Sequence, residues 1–142
     1  MTRFYGIFTV LILFFAPAFS SLAEDSRRNP VVRIDSSIES VWVGQKAEFS
    51  VVLLSPTFFS GTPRFDLPEI PGALLMKVPG RPMVSSENIN GHTYSAQTHE
   101  FAVFTQNAGK TEIPPIGVRF GIADSGASAA VEHELYTRKF HF

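Results

Sequence analysis

The sequence predicts an all-β protein, a sandwich of two antiparallel sheets with about seven to nine strands. Short apolar segments alternate with turn residues roughly every 8–12 positions, which is typical of sandwich domains. After residue 23, no segment spaces its apolar side chains at the period of a helix. We expect Trp42 and the phenylalanines of the same region to fill the space between the two sheets.

The clearest predicted strand covers residues 46–54. Its apolar side chains alternate with polar ones at a period of two, which predicts one buried face. Residues 55–72 contain four prolines and therefore predict a long connection, with a short edge strand around residues 64–67. Further strands are predicted at residues 31–35, 38–43, 74–78 and 131–142, the last with Tyr136, Phe140 and Phe142 on one face.

Two turns have a specific residue chemistry. Asn90 and Gly91 both tolerate a positive φ and predict a tight hairpin between strands at residues 83–89 and 92–104. Gly109 predicts a second turn, at residues 107–110. After that turn, Pro114 and Pro115 remove two backbone donors, which excludes a central strand and predicts an edge or a switch from one sheet to the other.

The N-terminal region resembles an export signal. Arg3 precedes an apolar run, and Ser21 and Ala23 are small residues ahead of a polar segment. We therefore expect a cleavable signal peptide at residues 1–23, a flexible leader at residues 24–30 and one sandwich domain at residues 31–142. The alternative is a membrane anchor that is not cleaved, although the apolar run is shorter than the ~20 residues of a spanning helix.

The composition excludes several classes of chemistry. The chain has no cysteine, so disulfides, thiolate metal sites and a thiol nucleophile are excluded. A formal net charge of -1 gives no basic field for nucleic acid. The spacing of the four histidines predicts surface or interface residues and no metal site. We expect the carboxylates of Glu132 and Glu134 to be solvated, and no serine lies in a nucleophile elbow. The sequence thus predicts neither an enzyme nor a cofactor.

Two features are candidates for binding a partner. Phe58 and Phe59 are adjacent aromatic residues in the predicted loop, where at least one of them could anchor a protein partner. The alternative is that both pack beneath the loop as a small apolar cluster. The second feature is the strand edge at residues 116–120, beside which a partner strand could pair.

Four short motifs in the same order resemble a known family. They lie at residues 30–35, 41–45, 67–72 and 108–115 and read Pro-Val-Val-Arg-Ile-Asp, Val-Trp-Val-Gly-Gln, Leu-Pro-Glu-Ile-Pro-Gly and Ala-Gly-Lys-Thr-Glu-Ile-Pro-Pro. Together they resemble the N-terminal β domain of the bacterial oxygen-tolerance (aerotolerance, BatD-like) proteins. The last motif is the most specific of the four.

The resemblance implies an immunoglobulin-like sandwich that faces the periplasm. It also implies protein partners of the von Willebrand factor A type and a MoxR-type ATPase, in stress tolerance or envelope complex assembly, and it implies no catalytic residues. Typical members continue to further β domains and a C-terminal transmembrane helix, whereas this sequence ends at Phe142. Membrane association would then require a partner or an uncleaved signal, and the chain would be a short or truncated member.

These observations leave two functions open. The first is an exported, non-enzymatic module for protein interaction and scaffolding. The second is a carbohydrate- or peptide-binding sandwich that uses exposed aromatic residues as a stacking platform, with Trp42, Tyr94, Tyr136 and the Phe58-Phe59 pair as the candidates.

Overall fold

The computed structural model describes residues 28–123 and 129–142, and all regular structure in these ranges is β. The predicted signal peptide, most of the predicted leader and part of the loop predicted after Gly121 lie outside the described residues. Within the described ranges, no helix has the length and apolarity needed to cross a bilayer. The ten strands are β1 Val31–Asp35, β2 Lys46–Ser55, β3 Phe58–Asp66, β4 Ala73–Lys77, β5 Met83–Ile89, β6 His92–Thr105, β7 Glu112–Ile113, β8 Gly117–Ala123, β9 Val131–Tyr136 and β10 Phe140–His141.

All of the pairings between these strands are antiparallel. The first sheet has the order β1-β2-β6-β4, and β5 pairs with β6 on the same side as β4. The second sheet has the order β3-β8-β9, and β7 pairs with β10 in a separate two-stranded ribbon. This arrangement confirms the predicted all-β architecture and is that of an antiparallel sandwich. The described strands number ten rather than seven to nine, and two of them are only two residues long.

The main core lies between the two larger sheets. Phe101 of β6 is fully buried and stacks on Phe49 of β2 with ring centroids 5.6 Å apart. Phe65 of β3 meets Phe101 edge-on at 5.1 Å, so the central contact joins both sheets. The other buried apolar side chains of this core are Ala47, Val51, Leu53, Val103, Ile113, Ile116, Val118, Phe120 and Ile122.

An ion pair crosses the outer face of the first sheet. The guanidinium of Arg33 on β1 donates to both carboxylate oxygens of Glu87 on β5, each at 3.1 Å, and it also bonds Asp35. These carboxylates raise the pKa of Arg33. Because β2 and β6 lie between β1 and β5, the side chains span two strands. The strands beneath carry a second apolar cluster, formed by Val52, Leu54, Tyr94 and Ala96.

The double proline marks a change of sheet, as predicted. β7 ends at Ile113 and pairs with β10, whereas β8 begins at Gly117 in the second sheet. Ile116, directly after the prolines, donates its N–H to the hydroxyl of buried Thr137 at 2.9 Å. Its carbonyl accepts the N–H of Thr137 at 3.0 Å. Thr137 therefore satisfies both backbone groups of Ile116 at a point where the prolines provide no donor.

The predicted hairpin is also confirmed. β5 and β6 pair in register up to Ile89 and His92, and the intervening Asn90 and Gly91 have φ values of 53° and 81°. Two consecutive positive φ values define the type I′ turn that matches the twist of a hairpin. The turn at Gly109 has a positive φ as well.

Three predicted elements differ from the structure. Residues 38–43 form no strand, because the chain there enters a turn that the backbone bonds of Gly44 and Gln45 fix, while Ile38 and Val41 pack against the core. The edge strand predicted around residues 64–67 is instead the nine-residue β3, which admits Pro63 because its register shifts between Ser60 and Arg64. The predicted closing strand is divided into β9 and β10 by the turn at Thr137.

Four burial predictions are wrong. Trp42 does not fill the core, because its side chain is 84% exposed. Phe58, one of the phenylalanines expected between the sheets, is exposed. Tyr136 is exposed and out of phase with the partly buried Phe140 and Phe142, since the chain turns between them. His99, predicted at the surface, is buried on the core face of β6 and contacts Phe65.

Candidate functional site

The most exposed large apolar side chain among the described residues is that of Trp42. Its neighbour Val43 is 52% exposed, whereas Val41 packs against the core. An indole that remains in water has a large apolar area available for binding, and tryptophan is among the residues most enriched at the energetic centres of interfaces. This tryptophan is the only one in the chain.

A tight turn holds the backbone of Trp42. Gln45 donates its N–H to the carbonyl of Trp42 at 2.9 Å, and its side-chain oxygen accepts the N–H of Trp42 at 3.1 Å. Gly44 has a φ of 79° and donates its N–H to the carbonyl of Thr105 at 2.8 Å, which fastens the turn to the end of β6. The exposed indole therefore stands on a fixed backbone, which lowers the entropic cost of binding through it.

A shallow cleft of about 210 Å³ lies beside this turn. The residues that line it come from the turn, from the end of β6, from the loop after β6 and from the C-terminal segment. In the part of the chain that the structure describes, no charged side chain lines the cleft, and its walls combine apolar groups with neutral polar ones. The lining includes Trp42, Val43, Thr105, Asn107, Gly109 and Phe142.

Segments that carry the sequence resemblance meet at this end of the sandwich. The motif at residues 41–45 forms the Trp42 turn, and the motif at residues 108–115 contributes Ala108 and Gly109 to the cleft. The motif at residues 67–72 ends at Gly72, whose carbonyl accepts the N–H of Gln106 at 2.8 Å. Gly72 has a φ of 73°, and a Cβ there would collide with the side chain of Asn107. This end is named the Trp42 end below.

The residues chosen from the sequence, Phe58 and Phe59, lie at the opposite end of β2 from the Trp42 turn. Phe58 is 64% exposed at the start of β3. Phe59 packs against the core, with its ring centroid 5.7 Å from that of Phe120. The two alternatives left open by the sequence thus divide between the two residues: one is a free aromatic side chain, and the other is part of the core.

Replacing each of these phenylalanines by serine should separate the two roles. Phe58→Ser is expected to change the free energy of unfolding by less than about 0.5 kcal/mol, because the ring is already in water. Phe59→Ser is expected to cost roughly 2–4 kcal/mol, because it removes apolar contacts from the core and leaves a hydroxyl there. Urea denaturation of both variants measures the difference; equal losses would contradict the assignment.

Of the two tyrosines considered as stacking platforms, one is buried and the other is exposed. Tyr94 is buried in the outer-face cluster and is not available as a stacking platform. Tyr136 is 63% exposed and donates its hydroxyl to Glu134 at 2.7 Å, an interaction that raises the pKa of Tyr136. The predicted pairing edge at residues 116–120 is not free, since most of these residues belong to β8, which lies between β3 and β9.

The described residues bring together no group of metal-binding side chains. No set of three or more histidine, aspartate or glutamate residues in residues 28–123 and 129–142 is placed to hold a metal ion. Glu132 and Glu134 are both exposed on β9, as predicted. On the neighbouring strands, Arg119 pairs with Asp66 at 2.7 Å, and this carboxylate raises the pKa of Arg119. These carboxylates and guanidinium groups form a solvated charged face.

One feature of the sequence indicates that Trp42 lies at the surface, although its apolar side chain led to the expectation that it fills the core. The Gly-Gln pair after Val43 predicts a turn, and turns lie at the surface. A tryptophan two residues before the turn glycine could therefore have been assigned to solvent.

Comparison with models of protein families, with curated proteins and with solved structures gives no match for this chain.

Proposed function

We propose that this protein is an exported, non-enzymatic interaction module that binds a protein partner through the Trp42 end. The observation that carries the proposal is the 84% exposure of an indole whose backbone is fixed by hydrogen bonds on both sides. Tryptophan is enriched among the residues that carry most of the binding energy of interfaces, and here it stands beside exposed Val43 and a shallow cleft.

The proposal extends to an immunoglobulin-like fold. In the constant type of that fold, the strand orders of the two sheets are A-B-E-D and C-F-G. Naming β1, β2, β3, β6, β8 and β9 as A, B, C, E, F and G, with β4 and β5 together as D, reproduces both orders. The loops of such domains cluster at the two ends of the sandwich, and the Trp42 turn, as the loop between strands A and B, lies at one of them.

The proposal also extends to the oxygen-tolerance (BatD-like) type of protein in the periplasm. Its support is the order of the four sequence motifs together with the meeting of three of them at the Trp42 end. On this proposal, the partner is an envelope protein, with von Willebrand factor A-type and MoxR-type components as the candidates that the resemblance suggests. The role would be assembly of an envelope complex or tolerance of stress.

A photo-crosslinking amino acid at Val43 tests the proposal in intact cells. The full chain carrying it is expected to form one discrete adduct with an envelope protein on illumination. Trp42→Ala in the same chain is expected to remove the adduct. Because the indole is largely in water, this change should alter the free energy of unfolding by no more than about 0.5 kcal/mol.

The matched control carries the same crosslinker at Phe58, at the other end of the molecule. No adduct, or an unspecific smear, is expected from that position. An adduct that forms from Phe58 and not from Val43 would contradict the assignment of the interface to the Trp42 end. Adducts from neither position would contradict the interaction module itself.

A second candidate function is carbohydrate binding at the same place. It is favoured by the uncharged lining of the cleft, where Thr105, Asn107 and Thr111 offer hydrogen-bonding groups beside an exposed indole. Since Trp42 is the only tryptophan, its fluorescence reports on this site alone. A saturable change in emission on titration with neutral oligosaccharides, abolished by Asn107→Ala, would favour this function; unchanged emission would exclude it for the sugars used.

A further inference from the structure

The five strands at the edges of the two sheets differ in how they are protected from pairing with another chain. β1 lies against β9 and so closes one side of the sandwich. β3 contains Pro63 and an irregular register, and β9 carries exposed Glu132 and Glu134. β4 is only five residues long and ends in Lys77. Prolines, bulges, charges and short length are the usual devices that prevent an edge strand from pairing with another chain.

Within its seven residues β5 has only one of these devices, a single charged side chain. Its sequence is Met-Val-Ser-Ser-Glu-Asn-Ile, with no proline, no lysine and no shift of register. Met83 is 66% exposed and Val84 70% exposed. The single charged residue, Glu87, forms the bidentate ion pair with Arg33 on β1, at the opposite edge of the same sheet. β5 is therefore a fixed, extended and largely uncharged edge.

The turn geometry determines which backbone groups of β5 are free. In a two-residue hairpin, the residues that flank the turn form a hydrogen-bonded pair, and such pairs alternate along the ladder. Here the flanking residues are Ile89 and His92. Glu87, Ser85 and Met83 therefore direct their backbone groups towards β6 as Ile89 does. Asn88, Ser86 and Val84 direct their N–H and C=O groups away from β6, to the edge that no other described strand occupies.

We propose that a second copy of this chain pairs with this edge, β5 against β5 in an antiparallel, two-fold symmetric arrangement centred on Ser86. The two first sheets would then form one continuous sheet. In this register Ser86 faces Ser86 of the second copy, and Val84 faces Asn88. All three outward-pointing residues of each strand would find hydrogen-bonding partners.

The side chains are compatible with this two-fold axis. The register places Met83 opposite Ile89 in a non-hydrogen-bonded pair, where side chains approach most closely, so apolar groups meet apolar groups. Ser85 faces Glu87, and no two like charges face each other. A one-residue slip would bring the outward-pointing groups of one copy opposite residues whose backbone groups already bond β6. This self-complementarity is why a second copy fits the edge, and it does not depend on the Trp42 proposal.

Substituting Ser86 tests the dimer without touching the fold of the monomer. Ser86→Pro removes the N–H that faces the second copy and leaves the bonds to β6 intact, so the monomer should keep its melting temperature. Two reciprocal hydrogen bonds at the axis are lost, which should weaken self-association about tenfold in sedimentation velocity. Ser86→Ala keeps the N–H and is the matched control, expected to associate as the natural chain does.

A cysteine at the axis gives an independent measurement, since the chain has none of its own. Hydrogen-bonded antiparallel pairs have Cα atoms about 5.5 Å apart, within the range of a disulfide. Under mild oxidation, Ser86→Cys is expected to form a covalent dimer, while Ser36→Cys in the loop after β1 stays monomeric. A natural chain that sediments as a monomer at every concentration, with no Ser86→Cys crosslink, would overturn the proposal.

Discussion

Phe101→Ala is expected to lower the free energy of unfolding by about 3–5 kcal/mol. Phe101 has no exposed surface, stacks on Phe49 within its own sheet and meets Phe65 of the opposite sheet edge-on at 5.1 Å. Alanine would leave a cavity bounded by both of these rings, and the aromatic contacts that join the sheets would be lost along with the apolar transfer free energy.

Urea denaturation monitored by circular dichroism measures this loss as a shift of the midpoint at constant slope. Phe101→Leu is the matched control, because leucine keeps an apolar side chain in the site and should cost clearly less than alanine. With total stabilities of about 5–15 kcal/mol for domains, the alanine variant should be marginally folded at 37 °C. A loss below about 1 kcal/mol would mean that Phe101 is not at the centre of the core.

The elements that the sequence predicted well depend on local chemistry. The alternation along β2 sets its inner face, although the second half of the strand is buried on both faces. Asn90 and Gly91 adopt the positive φ values that define their turn, and the consecutive prolines force the change of sheet. In each case, a few adjacent residues restrict the backbone so strongly that contacts with distant parts of the chain do not change its local conformation.

The elements that it predicted poorly depend on partners far away in sequence. The apolar residues at 38–43 suit a strand, but the chain there enters a turn that Gly44 fastens to Thr105 at the end of β6. Trp42 is apolar enough for the core, yet Phe49, Phe101 and Phe65 already fill the space between the sheets. The end of β9 is set by Thr137, which bonds Ile116 across the molecule. No periodicity within a single segment reports such competition for space.

The candidate site was predicted only in part for the same reason. Phe58 and Phe59 are the same residue type in different environments, because strand alternation directs one ring outwards and the other into the core. The cleft at the Trp42 end is assembled from segments separated by about half of the chain. Its composition is unremarkable in any one of them, so only the folded arrangement indicates a surface.

His99 should make the stability of the protein depend on pH. The side chain is 4% exposed, and neither Nδ1 nor Nε2 has a hydrogen-bond partner among the described residues. Its ring meets Phe65 edge-on at 4.8 Å, in surroundings that do not solvate a cation. Burial, together with a smaller effect of the positive charge of Lys77, lowers the pKa of His99 to about 4.

The sign of the effect follows from the pKa in the two states. The pKa of this imidazole is about 4 in the folded protein and about 6.5 in the unfolded chain, so between these values the unfolded state binds more protons. The stabilisation is therefore fully present above about pH 6.5 and is lost as the pH falls towards 4. The difference in pKa corresponds to a loss on the order of 3 kcal/mol across this range.

Urea midpoints between roughly pH 7 and pH 4 measure the dependence, and His99→Leu isolates the part that comes from this residue. Leucine cannot take up a proton, so the variant should lose less stability than the natural chain over the same range, whatever the paired carboxylates contribute to both. His92→Leu, at an exposed position on the same strand, is the control for replacing an imidazole by leucine. Parallel curves for the natural chain and His99→Leu would show that the imidazole is protonated equally in the folded and unfolded states, and that His99 is solvated rather than enclosed by Phe65.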